Sequence, residues 1–204
     1  MKNISNKQLA FVVKPALFIL CLLPFVFLVW DAFTENLGTN PVETLTHDTG
    51  KWALRFLLIT LTITPLRRFM HIPWLIKLRR MLGLYAFFYA GLHFITYIWL
   101  DQFFDWIEIL QDIPKRPFIT IGFVSFVLLI PLVITSTNAM QRRLKKRWIT
   151  LHKLVYIIPV LVVVHFIWSL KADYSEPLTY AFIFAALMLP RLYSRKKKTL
   201  VVTN

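Results

Sequence analysis

Residues 82–100 read LGLYAFFYAGLHFITYIWL, and residues 149–170 read ITLHKLVYIIPVLVVVHFIWSL. The first has no charged side chain and the second only Lys153, near its start. As helices rising 1.5 Å per residue, both can cross the roughly 30 Å hydrocarbon core of a bilayer. Lipid offers backbone N–H and C=O groups no partner, so a spanning segment of this kind must be helical. Each stretch nevertheless holds histidine: His93 in the first, His152 and His165 in the second. Ionisable side chains at such depth are costly, rare and usually functional.

Four further apolar segments lie at 11–30, 52–66, 118–136 and 177–193. The chain of 204 residues is 57% hydrophobic, and its apolar residues fall in blocks rather than in the scattered pattern of a soluble core. The expectation is an all-α polytopic membrane protein, a single domain over 1–204 with six transmembrane helices in a bundle. The second span is short and carries Arg55, which can snorkel to the interface. The fifth carries Pro159, a kink site. No internal repeat stands out. Trp30, Trp52, Trp99, Trp148, Trp168 and Tyr193 sit at span ends, as interfacial belts do.

The formal charge of +14 is asymmetric. Lys2, Lys7 and Lys14, then Arg67, Arg68, Lys77, Arg79 and Arg80, then Arg142 to Arg147, then Arg191 and Arg195 to Lys198 all fall on one side of the six-span reading. The other side keeps few basic residues, and every carboxylate from Asp31 to Glu176 lies there. The positive-inside rule then places both termini in the cytoplasm and accounts for the basic loops without nucleic acid. Lysines ahead of the first apolar run look like a signal peptide, but Phe25 to Trp30 offers no small-residue cleavage site, so an uncleaved first span is expected. With Cys21 the only cysteine and no glycine-rich phosphate loop, disulfide, iron–sulfur and dinucleotide-binding classes drop out.

Depth counting pairs two of the histidines. His93 lies eight residues before Asp101 and His165 eight before Asp173, so each sits roughly 12 Å inside the same boundary. Imidazole is a standard axial ligand of haem iron, and two helices offering it at one level make a bis-histidine haem site. The bland alternative is a histidine hydrogen-bonding between helices. His152 lies near the cytoplasmic face, about 20 Å from His165 along the axis. It reads as an interfacial histidine, a ligand, or a hydrogen-bond donor to a second cofactor. The third span has no second histidine at that inner level, where Arg79 stands, so one haem is the simpler count. His71 and His47 fall in connections, and His47 reads as solvated.

Several motifs recur in a familiar order: Gly38-Thr39-Asn40-Pro41-Val42-Glu43, Thr49-Gly50-Lys51-Trp52-Ala53-Leu54, Thr64-Pro65-Leu66-Arg67, Arg79-Arg80-Met81-Leu82-Gly83-Leu84-Tyr85 and Leu151-His152-Lys153-Leu154-Val155-Tyr156. Together, over most of the chain, they resemble the MsrQ (formerly YedZ) family of haem-binding membrane subunits, in the ferric-reductase-like transmembrane superfamily. The resemblance implies haem b and FMN as cofactors, and electron transfer across the bacterial inner membrane to an MsrP-like periplasmic molybdopterin reductase that repairs methionine sulfoxide. His93, His152 and His165 match the family's histidine positions. Arg79 and Arg80 are suited to the FMN phosphate, since guanidinium groups bind phosphate bidentately, and equally suited to a plain topology role. The chain stops about eleven residues after the sixth span, leaving no room for a nicotinamide-binding domain. The donor is then separate, either quinol or a cytosolic flavin reductase. A small transporter or proton channel with a histidine relay is the competing class. Such proteins often add intramembrane carboxylates, and no span here holds one deep inside.

Overall fold

The structure, a computed structural model, describes the backbone of residues 5–202 and the side chains of residues 5–189 and 191. The inward charge at Lys2 lies outside the described residues, as do the side chains of Arg195 to Lys198. The described residues are helical, with no strand among them. Helix α1 runs Asn6–Phe33, α2 Pro41–Met70, α3 Arg79–Thr96, α4 Trp106–Lys115 and α5 Pro117–Ile134. Helices α6 Asn138–Leu144, α7 Lys146–Leu151, α8 Ile158–Ser169 and α9 Ser175–Val202 follow.

Four stretches are long and apolar enough to cross a membrane: Asn6–Phe33, Pro73–Asp101, Pro117–Ile134 and Lys146–Ser169. The other two expected spans are present as helices of a different make-up. Helix α2 mixes its apolar run with Asp48, Lys51, Arg55, Arg67 and Arg68, and the apolar part of α9 is the shorter stretch Ser175–Leu189. Exposed apolar side chains cover the outside, among them Phe18, Ile19, Leu20 and Phe27 on α1. A surface of this kind in a monomer is one that faces lipid or a partner.

Helix α2 packs along α3, α5 along α8, and α9 against α8 and α2. The main core gathers Phe56, Leu57 and Leu61 from α2, Leu82, Tyr85, Ala86 and Tyr89 from α3, and Ile158 from α8. Phe56 stacks on Tyr89 with ring centres 5.2 Å apart. Tyr89 is fully buried, and its hydroxyl accepts from the Phe25 N–H at 3.0 Å and donates to the Cys21 carbonyl at 2.9 Å. Those two backbone groups are the i→i−4 partners of a regular helix. The hydroxyl thus bonds both ends of one rung of the α1 ladder beside Pro24, where the helix is already weakened.

Arg55 does not snorkel alone. It donates to the Tyr180 hydroxyl at 2.8 Å, lies 3.6 Å from Glu176, and sits over the Trp52 ring. The expected fifth span is not one kinked helix. It is α7, a 3-10 turn over His152–Tyr156, and then α8, in which Pro159 occupies the first turn. A proline there loses no helical hydrogen bond, whereas inside a continuous helix it would break one.

Candidate haem site

Asn40 opens α2 earlier than the hydropathy suggests. Its side chain accepts the Glu43 N–H, and Pro41 fills the first helical position. The helix therefore extends through Thr46 and Gly50 to the apolar run. Across from it, α3 carries His93; α5 and α8 repeat the arrangement with Phe118, Gly122 and His165.

The structure brings His93 and His165 together edge-on, with ring centres 6.0 Å apart and ring planes at 74°. Their Nδ1 atoms point away from each other, to backbone carbonyls: His93 to Thr46 O at 2.8 Å and His165 to Phe118 O at 2.7 Å. A carbonyl only accepts, so each Nδ1 carries the proton and each Nε2 keeps its lone pair. That is the tautomer a metal-ligating histidine needs, fixed by the hydrogen bond its other nitrogen makes.

The size of the gap is itself informative. A metal–imidazole bond of about 2 Å and a ring radius of about 1 Å on each side put the ring centres about 6 Å apart. Both rings border a cavity of about 790 Å³ between α2, α3, α5 and α8. That lies within the roughly 300–1,000 Å³ of small-molecule and cofactor sites. Its walls are largely apolar, including Leu54, Leu57, Ala86, Ala90, Phe94, Phe126 and Val162. One end meets the polar residues Asn40, His47, Lys51, Asp101, Arg116 and Lys171. Among the described residues no group of three or more His, Cys, Asp or Glu is placed to hold a bare metal ion. Two opposed imidazoles with an apolar slot between them instead fit an iron that brings its own macrocycle.

The other expected site residues lie elsewhere. His152 belongs to the 3-10 turn; its ring stacks on Trp148 at 3.9 Å and its Nδ1 bonds the Trp148 carbonyl at 3.2 Å. It does not line the cavity of His93 and His165. Arg79 is half-buried and shares an electrostatic neighbourhood with His152 and Arg191. Arg80 is exposed and donates to the Asn138 side chain. The arginines and His152 thus gather at one end of the bundle, apart from the paired histidines.

His47 corrects the sequence reading. Rather than being a solvated loop residue, it is half-buried on α2 and lines the cavity. The signal was available in Asn40-Pro41-Val42-Glu43, a helix start by its cap, its proline and its first-turn acid. The carbonyls of Thr46 and Phe118, and the glycines one turn after each, were also missed. Each histidine lies 47 residues after its carbonyl, a recurrence visible only once the contacts are known.

The family described as "Ferric reductase like transmembrane component" matches residues 49–164. The chain is similar to curated proteins described as "Protein-methionine-sulfoxide reductase heme-binding subunit MsrQ". It is 54% identical to that of Herminiimonas arsenicoxydans over 89% of this chain and 84% of the relative. It is 48% identical to that of Bordetella pertussis over 86% of each, and 48% identical to that of Xanthomonas campestris over 89% of this chain and 86% of the relative. No solved structure matches.

Proposed function

The chain belongs to the ferric-reductase-like transmembrane family and, within it, to the MsrQ subunits, and on that premise we propose that it carries electrons across the bacterial inner membrane through one haem b held by His93 and His165. The observation that carries this reading is the facing pair of imidazoles, 6.0 Å apart, each with Nδ1 spent on a carbonyl. The haem would supply reversible one-electron chemistry at iron. The protein's part is to fix both ring tautomers, keep water out with apolar walls, and offer Lys51, Arg116 and Lys171 as counter-charge at the polar end of the slot.

In this reading the bundle has six spans with both termini in the cytoplasm, as the charge asymmetry favours. FMN takes the basic end, its phosphate against Arg79 and Arg80 with His152 nearby, and receives electrons from quinol or a cytosolic flavin reductase. The acceptor is an MsrP-like periplasmic molybdopterin reductase that repairs oxidised envelope proteins. The names of the relatives, as heme-binding subunits of a methionine sulfoxide reductase, support that assignment. A proton relay is disfavoured because the two buried histidines oppose one another at one level rather than forming a file along the span.

The test is haem content. Purified protein is expected to show a Soret band and to yield pyridine haemochrome. His93→Ala and His165→Ala each remove one of the two imidazoles that would hold the haem, and each is expected to lose most of it. His152→Ala, outside the cavity, is expected to keep it. Full haem in both the His93 and His165 variants removes the assignment.

A further inference from the structure

The two halves of the site use one device twice. In an α-helix each Cα–Cβ bond tilts toward the N-terminus, so the side chain of residue i+4 leans over the carbonyl of residue i. That carbonyl already accepts the N–H of residue i+4, and local hydroxyls can add a second bond, as Thr49 does to Thr46 at 3.0 Å; a side chain at i+4 covers it against a ring from a neighbouring helix. Here the two carbonyls that receive imidazole protons belong to Thr46 and Phe118, and the residues four positions on are Gly50 and Gly122. A Cβ added at Gly50 would lie 3.1 Å from His93 Nδ1 and 3.2 Å from its Cε1. A Cβ added at Gly122 would lie 2.8 Å from both the Cε1 and Nδ1 of His165. In each case the ring occupies the space a side chain would need.

We infer that Gly50 and Gly122 are positioning residues that set the rotation of the two imidazoles, each by uncovering the helix carbonyl one turn earlier for the Nδ1–H of a histidine on the neighbouring helix. The inference rests on the haem reading and deepens it. Ligand identity comes from His93 and His165, while ligand orientation comes from two glycines on the opposing helices. The remaining helical glycines of the bundle lack this role: a Cβ at Gly83 meets only Thr60 Cγ2 at 3.7 Å, and one at Gly91 meets nothing within 4 Å.

Orientation has its own readout. Ferric low-spin haem with crossed axial imidazole planes gives a strongly anisotropic paramagnetic resonance signal, and turning one ring toward the plane of the other lowers the largest g value. The rings here cross at 74°. The experiment compares Gly50→Ala, Gly122→Ala, Gly83→Ala and Gly91→Ala, purified from membranes in the same detergent. Haem per protein, the low-spin ferric signal and the midpoint potential are recorded for each. Gly122→Ala, with the closer clash, is expected to lose haem several-fold or to show a clearly lowered largest g value. Gly50→Ala is expected to keep more haem and to shift the signal in the same direction by less. The Gly83 and Gly91 variants gain helix propensity without a clash and are expected to match the parent in all three readouts. If Gly122→Ala does not accumulate as folded protein, the milder Gly50→Ala decides. An unchanged signal and haem content in folded variants overturns the inference. So does failure of both to fold while the controls do, since the glycines would then serve helix packing. A parent protein without a Soret band overturns the haem reading itself, a separate result.

Discussion

Single side chains carry the parts of this protein that composition hides. Tyr89 braces α1 by bonding both the Phe25 N–H and the Cys21 carbonyl. Tyr89→Phe removes both of these bonds in a buried setting. Such a loss costs about 1–3 kcal/mol, and lipid supplies no water to relieve it. The expected outcome is a clear fall in thermal stability of the detergent-solubilised protein, read by loss of monodisperse material after heating. Tyr85→Phe removes one donor, to the Phe18 carbonyl at 2.8 Å, and is expected to cost less. A second residue-level expectation concerns acid. The Ser175 hydroxyl and backbone N–H bond the Asp173 carboxylate and hold its pKa below the ordinary carboxylate value. A carboxyl whose pKa is lower folded than unfolded adds stability that is present above about pH 3.9 and fades as pH falls through the folded value. Asp173→Asn is therefore expected to lower stability slightly in the neutral region and to flatten the acid limb, the two proteins converging at low pH. A steeper acid limb in the variant would contradict this. What was legible at this scale follows from the same physics. Counting residues from Asp101 and Asp173 put His93 and His165 at one depth, although residues 97–101 form a π-helix and the chain leaves its helix after Ser169, so the rise is not uniform over either count. The partners of their Nδ1 atoms were not legible, because a backbone carbonyl has no letter in the sequence.

At the scale of elements, hydropathy located segments better than it located their ends. The long apolar runs correspond to α1, α3, α5 and the α7–α8 stretch. Helix α2 was read from 52 onward but begins at Pro41, because a cap and a proline extend a helix into polar sequence that hydropathy cannot see. That early start is what puts Thr46, His47 and Gly50 on a rigid helix beside the cavity. Helix α4 went unread as a helix within a polar connection. Yet Asp105 accepts the N–H groups of Ile107 and Glu108 at its start, and Ile109 with Asp112 faces inward from it. The break before α8 was foreseen as a kink at Pro159 but takes the form of a full 3-10 turn. This turn carries His152 onto Trp148 and toward Arg79 rather than into line with His165. The first turn of α3 then bears the flavin prediction. If Arg79 and Arg80 clamp the FMN phosphate, changing both to Gln is expected to lower flavin per protein several-fold while haem content holds, because neither lines the cavity of His93 and His165. Flavin fluorescence of the denatured extract measures it. Unchanged flavin in a correctly inserted variant returns the pair to topology alone.

Across the whole molecule, basic and acidic residues gather at opposite ends of the bundle. The site cavity meets polar residues at the end marked by Asp101, Arg116 and Lys171, and the acidic residues Asp105, Glu108 and Asp112 flank that end on and beside α4. Some of these carboxylates are already engaged: Asp112 pairs with Arg116 at 2.7 Å and Glu176 with Lys51 at 3.3 Å. Asp105 and Glu108 are exposed, Asp105 while capping α4. In the proposed topology this is the periplasmic face, and a soluble acceptor docking there would come closest to the histidine pair. Complementary charge at such a face acts mainly on the rate of encounter and is screened over roughly 8–10 Å at ordinary ionic strength. Glu108→Lys, which leaves the Asp105 cap of α4 intact, is therefore expected to slow reoxidation of the reduced haem by a purified MsrP-type reductase at low salt. The difference should shrink as salt is raised, with haem content unaltered. Stopped-flow absorbance in sealed vesicles of known orientation reads both the rate and the side. Equal rates for parent and variant at low salt would mean the acceptor docks elsewhere. Reoxidation only by acceptor on the side of Arg79, Arg80 and the basic loops would invert the topology, and with it the direction of electron flow proposed for this chain.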